Sequence, residues 1–400
     1  MKKTHLILLW LAFLPFVGCK QAPLESKQLD TFIKFYGTSD LEIGYDLKTT
    51  NDGGYILAGT QTTASGSDIF VVKTDRFGNQ EWTKNIGGAE NESASAIVID
   101  AEGNYVVAGY QDLGSGNKNV YVVKFSESGV IWEKSFGGSN KEEAYDIVLT
   151  NDGGYAISGC AMDATGDLNA LLIKIDGMGN ESWTKDFGAT GTDWSTSLIQ
   201  KADGGFVLGC TTNSYGGAGL SNANFMLVET NAIGDEVDRA TFGSTLDNLN
   251  LHIAIDPANN RYVVAGTNVN TSLTSSQIYY ATFNQANLHS AVSSAIISDD
   301  TFDSCTDLVV DVENNLLITG NRDLAPAGSA ERQFSTLFVA IAGNEITEET
   351  VGSNDASNQT GHSIVETLDG RVAIVGSNDE VSLSGMMTLI KLSKTGQLNQ

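Results

Sequence analysis

The chain has 400 residues, 43 of them glycine and only 4 proline, with 41% apolar residues and a net charge of −26. That is apolar enough for a large core and excludes a disordered chain, while abundant Gly with no long amphipathic period points to many short strands and tight turns. The acidity argues against nucleic acid as a partner and against electrostatic adsorption to anionic lipid.

The chain opens "MKKTHLILLWLAFLPFVGCK". Lys2 and Lys3 form a basic region, and the apolar run Leu6 to Val17 is too short to span a bilayer. Phe16-Val17-Gly18-Cys19 resembles a bacterial lipobox. That resemblance implies a signal peptide over 1–18, lipid on the Cys19 thiol, and a polar tether over 19–30. The expected address is the cell envelope, in a two-membrane envelope the outer membrane, with membrane contact through the anchor alone. Losing Lys2 and Lys3 with no acid would take the charge from −26 to about −28. The later cysteines, Cys160, Cys210 and Cys305, are odd in number and lie in or beside strand-like runs, so they are expected as buried thiols.

Next comes "FIKFYG" (Phe32 to Gly37), a lone strand-like run that aligns with the later "WTKNIG" (Trp82 to Gly87). From there to the end the chain repeats itself. "NDGGYILAGT", "AEGNYVVAGY" and "NDGGYAISGC" are versions of one phrase, and its last glycine recurs at Gly59, Gly109, Gly159, Gly209, Gly266, Gly320 and Gly376. Each copy holds four strand-like runs, for example "SAIVID", "YVVAGY", "VYVVKF" and "IWEKSF". The first two are joined by Asn, Asp and Gly, residues that take the positive φ of tight hairpin turns. Near-continuous apolar runs such as "IFVVK" and "ALLIK" indicate sheets covered on both faces. Seven units of four antiparallel strands describe an all-β, seven-bladed β-propeller over 31–400. The last copy ends after its third run, so the lone N-terminal strand is expected to complete the seventh blade.

With its GGYILAG…VVK…W…FGG repeats over residues 32 to 397, the chain resembles a family of secreted bacterial propeller repeats. The resemblance implies a propeller on an exported, often lipid-anchored protein, and no particular reaction.

Propellers bind ligands on the loops around the channel mouth. One column of the loops between blades reads Glu42, Glu92, Glu142, Asp193, Asn248, Asp303 and Gln359, and is expected to ring the channel entrance. Four positions on, a second column reads Asp46, Ala96, Asp146, Ser197, His252, Asp307 and Ser363, expected on the same strand face by the period of two. Together the two columns make either an oxygen-rich site for a cation such as Ca2+ or a polar socket, or else each acid accepts hydrogen bonds from backbone amides of its own or the next blade. Trp194 either stacks on a sugar or partner, or fills the gap between blades. Tyr215 lies in one of the long Asn/Ser/Thr/Gly-rich loops of the later copies, where specificity is expected to reside. Three histidines follow the leader (His252, His289 and His362), without metal-ligand spacing or an arguable Ser–His–Asp set. The expected role is therefore a non-enzymatic, monomeric envelope lipoprotein, without a cofactor, that binds a glycan or protein. The alternatives are a polysaccharide-active enzyme using rim carboxylates, and a scaffold for envelope assembly.

Overall fold

A computed structural model describes residues 30–38, 40–215, 223–244, 246–269, 275–297, 303–323, 334–342, 345–351, 358–379 and 385–398. The expected signal peptide, Cys19 and the tether up to residue 29 lie outside these residues, as do 216–222 and 270–274 of the long loops. The described residues form 28 strands, β1 to β28 in chain order, and no helix. β1 spans Phe32–Tyr36. The first blade follows as β2 (Leu41–Thr49), β3 (Tyr55–Thr63), β4 (Gly66–Thr74) and β5 (Gln80–Ile86). β6 to β25, between Asn91 and Val351, repeat that pattern, and β26 (Asn358–Glu366), β27 (Val372–Asp379) and β28 (Gly385–Leu392) end the chain. The strands fall into seven four-stranded antiparallel sheets; six take their strands in sequence, and the seventh runs β1-β28-β27-β26. The molecule is a seven-bladed β-propeller closed by its N-terminal strand, with Phe32 opposite Lys391 and Tyr36 opposite Met387.

The core lies between blades. Buried apolar side chains among the described residues gather into seven clusters, one at each blade interface. The closing interface packs Leu47, Leu57 and Val72 of the first blade against Tyr36, Val375, Met387 and Leu389 of the seventh. Cys160, Cys210 and Cys305 are buried free thiols, as expected. The hairpin phrase is explained locally. Asp52 accepts the Gly54 amide at 2.9 Å and pairs with the buried Lys73 ammonium, also at 2.9 Å, which Glu81 shares. In the fourth blade the charges are exchanged: Lys201 pairs with Glu229, which stands where the first blade has Lys73. At the outer edge the turn of one blade rests on the aromatic ring of the blade before it. A Cβ on Gly179 would lie 3.0 Å from Trp132, and one on Gly78 would lie 2.6 Å from Phe32, which takes the tryptophan place in the closing strand.

The innermost strand of every blade carries a β-bulge. In the first blade Gly44 pairs with Gly59 and Asp46 with Ala58, so the register skips Tyr45. The same shift skips Ser95, Tyr145, Thr196, Thr306 and His362, and in the fifth blade it skips Asn250 and Leu251 together. The repeat glycine stands opposite the bulge. A Cβ on Gly59 would overlap the Ile43 carbonyl oxygen, and one on Gly109 the Ser93 carbonyl oxygen. In the fourth blade the residue in this place is Cys210, paired with Ser195, so the repeat marker there is one residue beyond Gly209.

Candidate functional site: the mouth of the axial channel

A bulge adds one residue and breaks the two-residue alternation of a strand. Residues 42 and 46 therefore do not share a face, and this corrects the expected ring of carboxylates. The acids of the first four blades turn into the loop that precedes their own strand. Glu42 is fully buried and accepts the Thr38 amide at 3.0 Å and the Gln61 side-chain amide at 2.7 Å. Glu92 accepts the Gly88 amide at 3.0 Å and Gln111 at 2.9 Å. Glu142 accepts from Gly138 at 3.4 Å, Asp193 from Ala189 at 3.3 Å, and Asn248 from Ser244 at 3.1 Å. In each case the donor is the amide four residues earlier. Asp303 is instead held by Arg322, through Nε at 2.9 Å and Nη2 at 2.6 Å. The column shapes the loops between blades, and none of its members lines the two axial cavities. The oxygens a calcium ion would need are thus distributed one blade at a time. Among the described residues no group of three or more His, Cys, Asp or Glu side chains is placed to hold a metal ion.

The second column does face the axis. Asp46, Ala96, Asp146, Ser197, His252, Asp307 and Ser363 line a narrow cavity of about 110 Å³, together with Lys48. Its acids join neighbouring blades. Asp46 accepts its own Leu47 amide and the Ile97 amide of the next blade, both at 2.8 Å; Asp146 accepts Ile147 and Leu198, also at 2.8 Å. Asp307 accepts Leu308 at 2.8 Å and Ile364 at 3.0 Å. Lys48 pairs with Asp46 at 2.7 Å; burial opposes its charge, but Asp46 outweighs burial and holds the ammonium above its ordinary range. Burial in the channel wall pushes Asp146 up to about 7 and Asp307 up to about 6. Ser363 Oγ lies 2.8 Å from Asp46 and 2.7 Å from Asp307. A hydroxyl has one proton to give, so both contacts are hydrogen bonds only while one carboxyl is protonated. Burial, which raises Asp307 to about 6, makes it take up that proton as the pH falls toward 6.

Above this floor the channel widens into a cavity of about 500 Å³. All seven blades reach it through the bulged strand: Tyr45, Ser95, Tyr145, Thr196, Asn250, Thr306 and His362 line it. A bulge re-aims one side chain, and here seven of them are turned to one point. Trp194, Tyr110 and His252 complete the aromatic wall. His362 meets the Tyr45 ring edge-on, with centroids 5.3 Å apart. Burial lowers both His252 and His362 to about 4, so at neutral pH both are uncharged hydrogen-bonding groups. Trp194 thus stands at the mouth, whereas Tyr215 stands apart from it. The Tyr215 hydroxyl donates to the Gly188 carbonyl at 2.7 Å, and the Arg239 guanidinium lies 3.9 Å over its ring. The two aromatic residues singled out in the sequence are not brought together.

No protein-family model matches the chain, and no curated protein matches it in sequence. Solved structures do. YCF48 bound to D1 peptide superposes with a TM-score of 0.53 at 9% identity, over 90% of this chain and 94% of that one. Sqt1 from Chaetomium thermophilum gives 0.50 at 12% identity, over 91% and 99%. A protein of unknown function from Dyadobacter fermentans gives 0.51 at 10% identity, over 74% and 93%. The likeness is one of fold.

Proposed function

We propose that the chain is a non-enzymatic binding protein of the cell envelope, lipid-anchored at Cys19 in the outer membrane, that receives a glycan or protein partner at the channel mouth. One observation carries the reading: seven bulges at equivalent places turn chemically unlike side chains into a single cavity. The bulged position carries Tyr, Ser, Thr, Asn or His from blade to blade, whereas the strand core around it stays apolar. The fold neighbours are compatible with this, since one of them, YCF48, is bound to a peptide. The cavity also falls within the size range of small-ligand sites. Of the rim acids on which a polysaccharide-cleaving reading depends, Glu42, Glu92, Glu142 and Asp193 each accept a loop amide and Asp303 is held by Arg322. The histidines at the mouth, lowered by burial to about 4, carry no imidazolium proton at neutrality to give as general acids.

The test fills the mouth. Thr196→Trp and the wild type are screened against a glycan array and a displayed peptide library. Binding that is lost on filling supports the reading, and binding that survives places the partner elsewhere. For the anchor, Cys19→Ser should abolish lipid labelling, and a variant still labelled removes the lipoprotein assignment.

A further inference from the structure

Resting on the mouth as the binding site, we infer that its ligand is the uncharged end of a saccharide, one or two sugar rings stacked on Trp194 and held by neutral donors and acceptors from the bulged residues. None of the twelve side chains that line the mouth is Asp, Glu, Lys or Arg, although the chain carries 49 acids and 23 bases. A charged ligand would enter without a counter-charge on the wall. The Lys118 ammonium beside the mouth lies 3.9 Å over the Tyr110 ring and is paired with Glu143 at 2.7 Å. On the floor the Asp46 carboxylate is matched by Lys48, and Asp146 and Asp307 already accept backbone amides. An anionic sugar would face these acids. A cationic side chain would find Asp46 already paired and the Tyr110 face already occupied.

The neutral complement suits hydroxyl groups. Thr196 Oγ1 donates to the Leu251 carbonyl and Thr306 Oγ1 to the Gly361 carbonyl, both at 2.8 Å, so each presents only lone pairs to the cavity. Among the described residues, the Ser95 hydroxyl, the Asn250 amide and the Trp194 indole N–H have no side-chain partner, and they supply donors. Sugar hydroxyls give and accept at once, and this wall offers both. The half-buried Trp194 indole makes no ring contact among the described residues, which leaves a π face for the apolar C–H side of a pyranose.

The experiment titrates the full chain with neutral di- and trisaccharides of glucose, galactose, mannose and N-acetylglucosamine. Parallel arms use a galacturonic acid trisaccharide, a glucosamine disaccharide without acetyl groups, and tetralysine. Calorimetry reads binding, and the fluorescence difference between wild type and Trp194→Phe reports the mouth. At least one neutral sugar should bind, with affinity reduced about tenfold or more by Trp194→Ala, abolished by Thr196→Trp and largely kept by Trp194→Phe. Should Trp194→Ala fail to fold, Ser95→Trp takes its place as the blocking variant. No response to any neutral sugar at about 10 mM, a concentration that detects even millimolar dissociation constants, overturns the inference. Binding of a charged probe alone, lost in Thr196→Trp, overturns the sugar assignment and leaves the mouth as the site. Neutral sugar binding that Trp194→Ala and Thr196→Trp leave unchanged overturns both.

Discussion

At the scale of single residues, the repeat glycine and the bulge opposite it form one device. Gly59, Gly109 and Gly159 stand where a Cβ would strike the carbonyl of the facing strand, so the ladder closes tightly beside the skipped residue. Gly109→Ala should therefore cost about 3 kcal/mol through overpacking against backbone that cannot yield, read as a lower urea midpoint with unchanged slope. The phrase was legible in the sequence as a hairpin and a blade marker. Its second task was not, because strict alternation put Glu42 and Asp46 on one face. A signal was present nonetheless. "GYDL", "AYDI", "CTDL" and "GHSI" keep a small residue, then Asp or Ser, then an apolar one, and vary only at the position that the bulge releases.

Among the elements, β1 bears the greatest topological load, since its five residues alone supply the outer strand of the seventh blade. The alignment of "FIKFYG" with "WTKNIG" made this readable, because Phe32 stands where other blades have tryptophan and meets the Gly78 turn as Trp132 meets Gly179. Removing residues up to Tyr36 should cost about 5 kcal/mol from the lost aromatic packing. It would also expose the edge of β28 to pairing with other chains. Light scattering should then show oligomers, and the melting transition should broaden and fall. In the fourth blade the exchange of Lys73 for Glu229, with Lys201 supplying the cation, keeps an ion pair that alignment by residue type would discard.

For the whole molecule, the axis is where all seven blades share one titrating environment, and its groups oppose one another. Asp146 and Asp307, raised to about 7 and 6, bind protons more tightly folded than unfolded, so their contribution to stability falls as pH rises from about 4 to 7. His252 and His362, lowered to about 4, are favoured neutral, so their contribution rises as pH rises from about 4 to 6.5. In the wild type the two nearly cancel. Asp146→Asn should make the protein gain melting temperature between pH 5 and pH 7.5 by about 2 °C more than the wild type does, and His252→Gln should change that difference by about 2 °C in the opposite sense. Calorimetry at the two pH values decides it, and equal differences for all three proteins would remove the axial network from the account.

The bulged residue is the position that the ladder register of each inner strand skips, together with a second residue in the fifth blade. Seven such positions converge on a common centre while being far apart in sequence. The ring serves as a combination lock with one tumbler per blade, some of them geared to a neighbour: His362 meets Tyr45, and Thr196 and Thr306 hold the backbone of the next blade, so new specificities would be dialled in at the centre in pairs as well as singly.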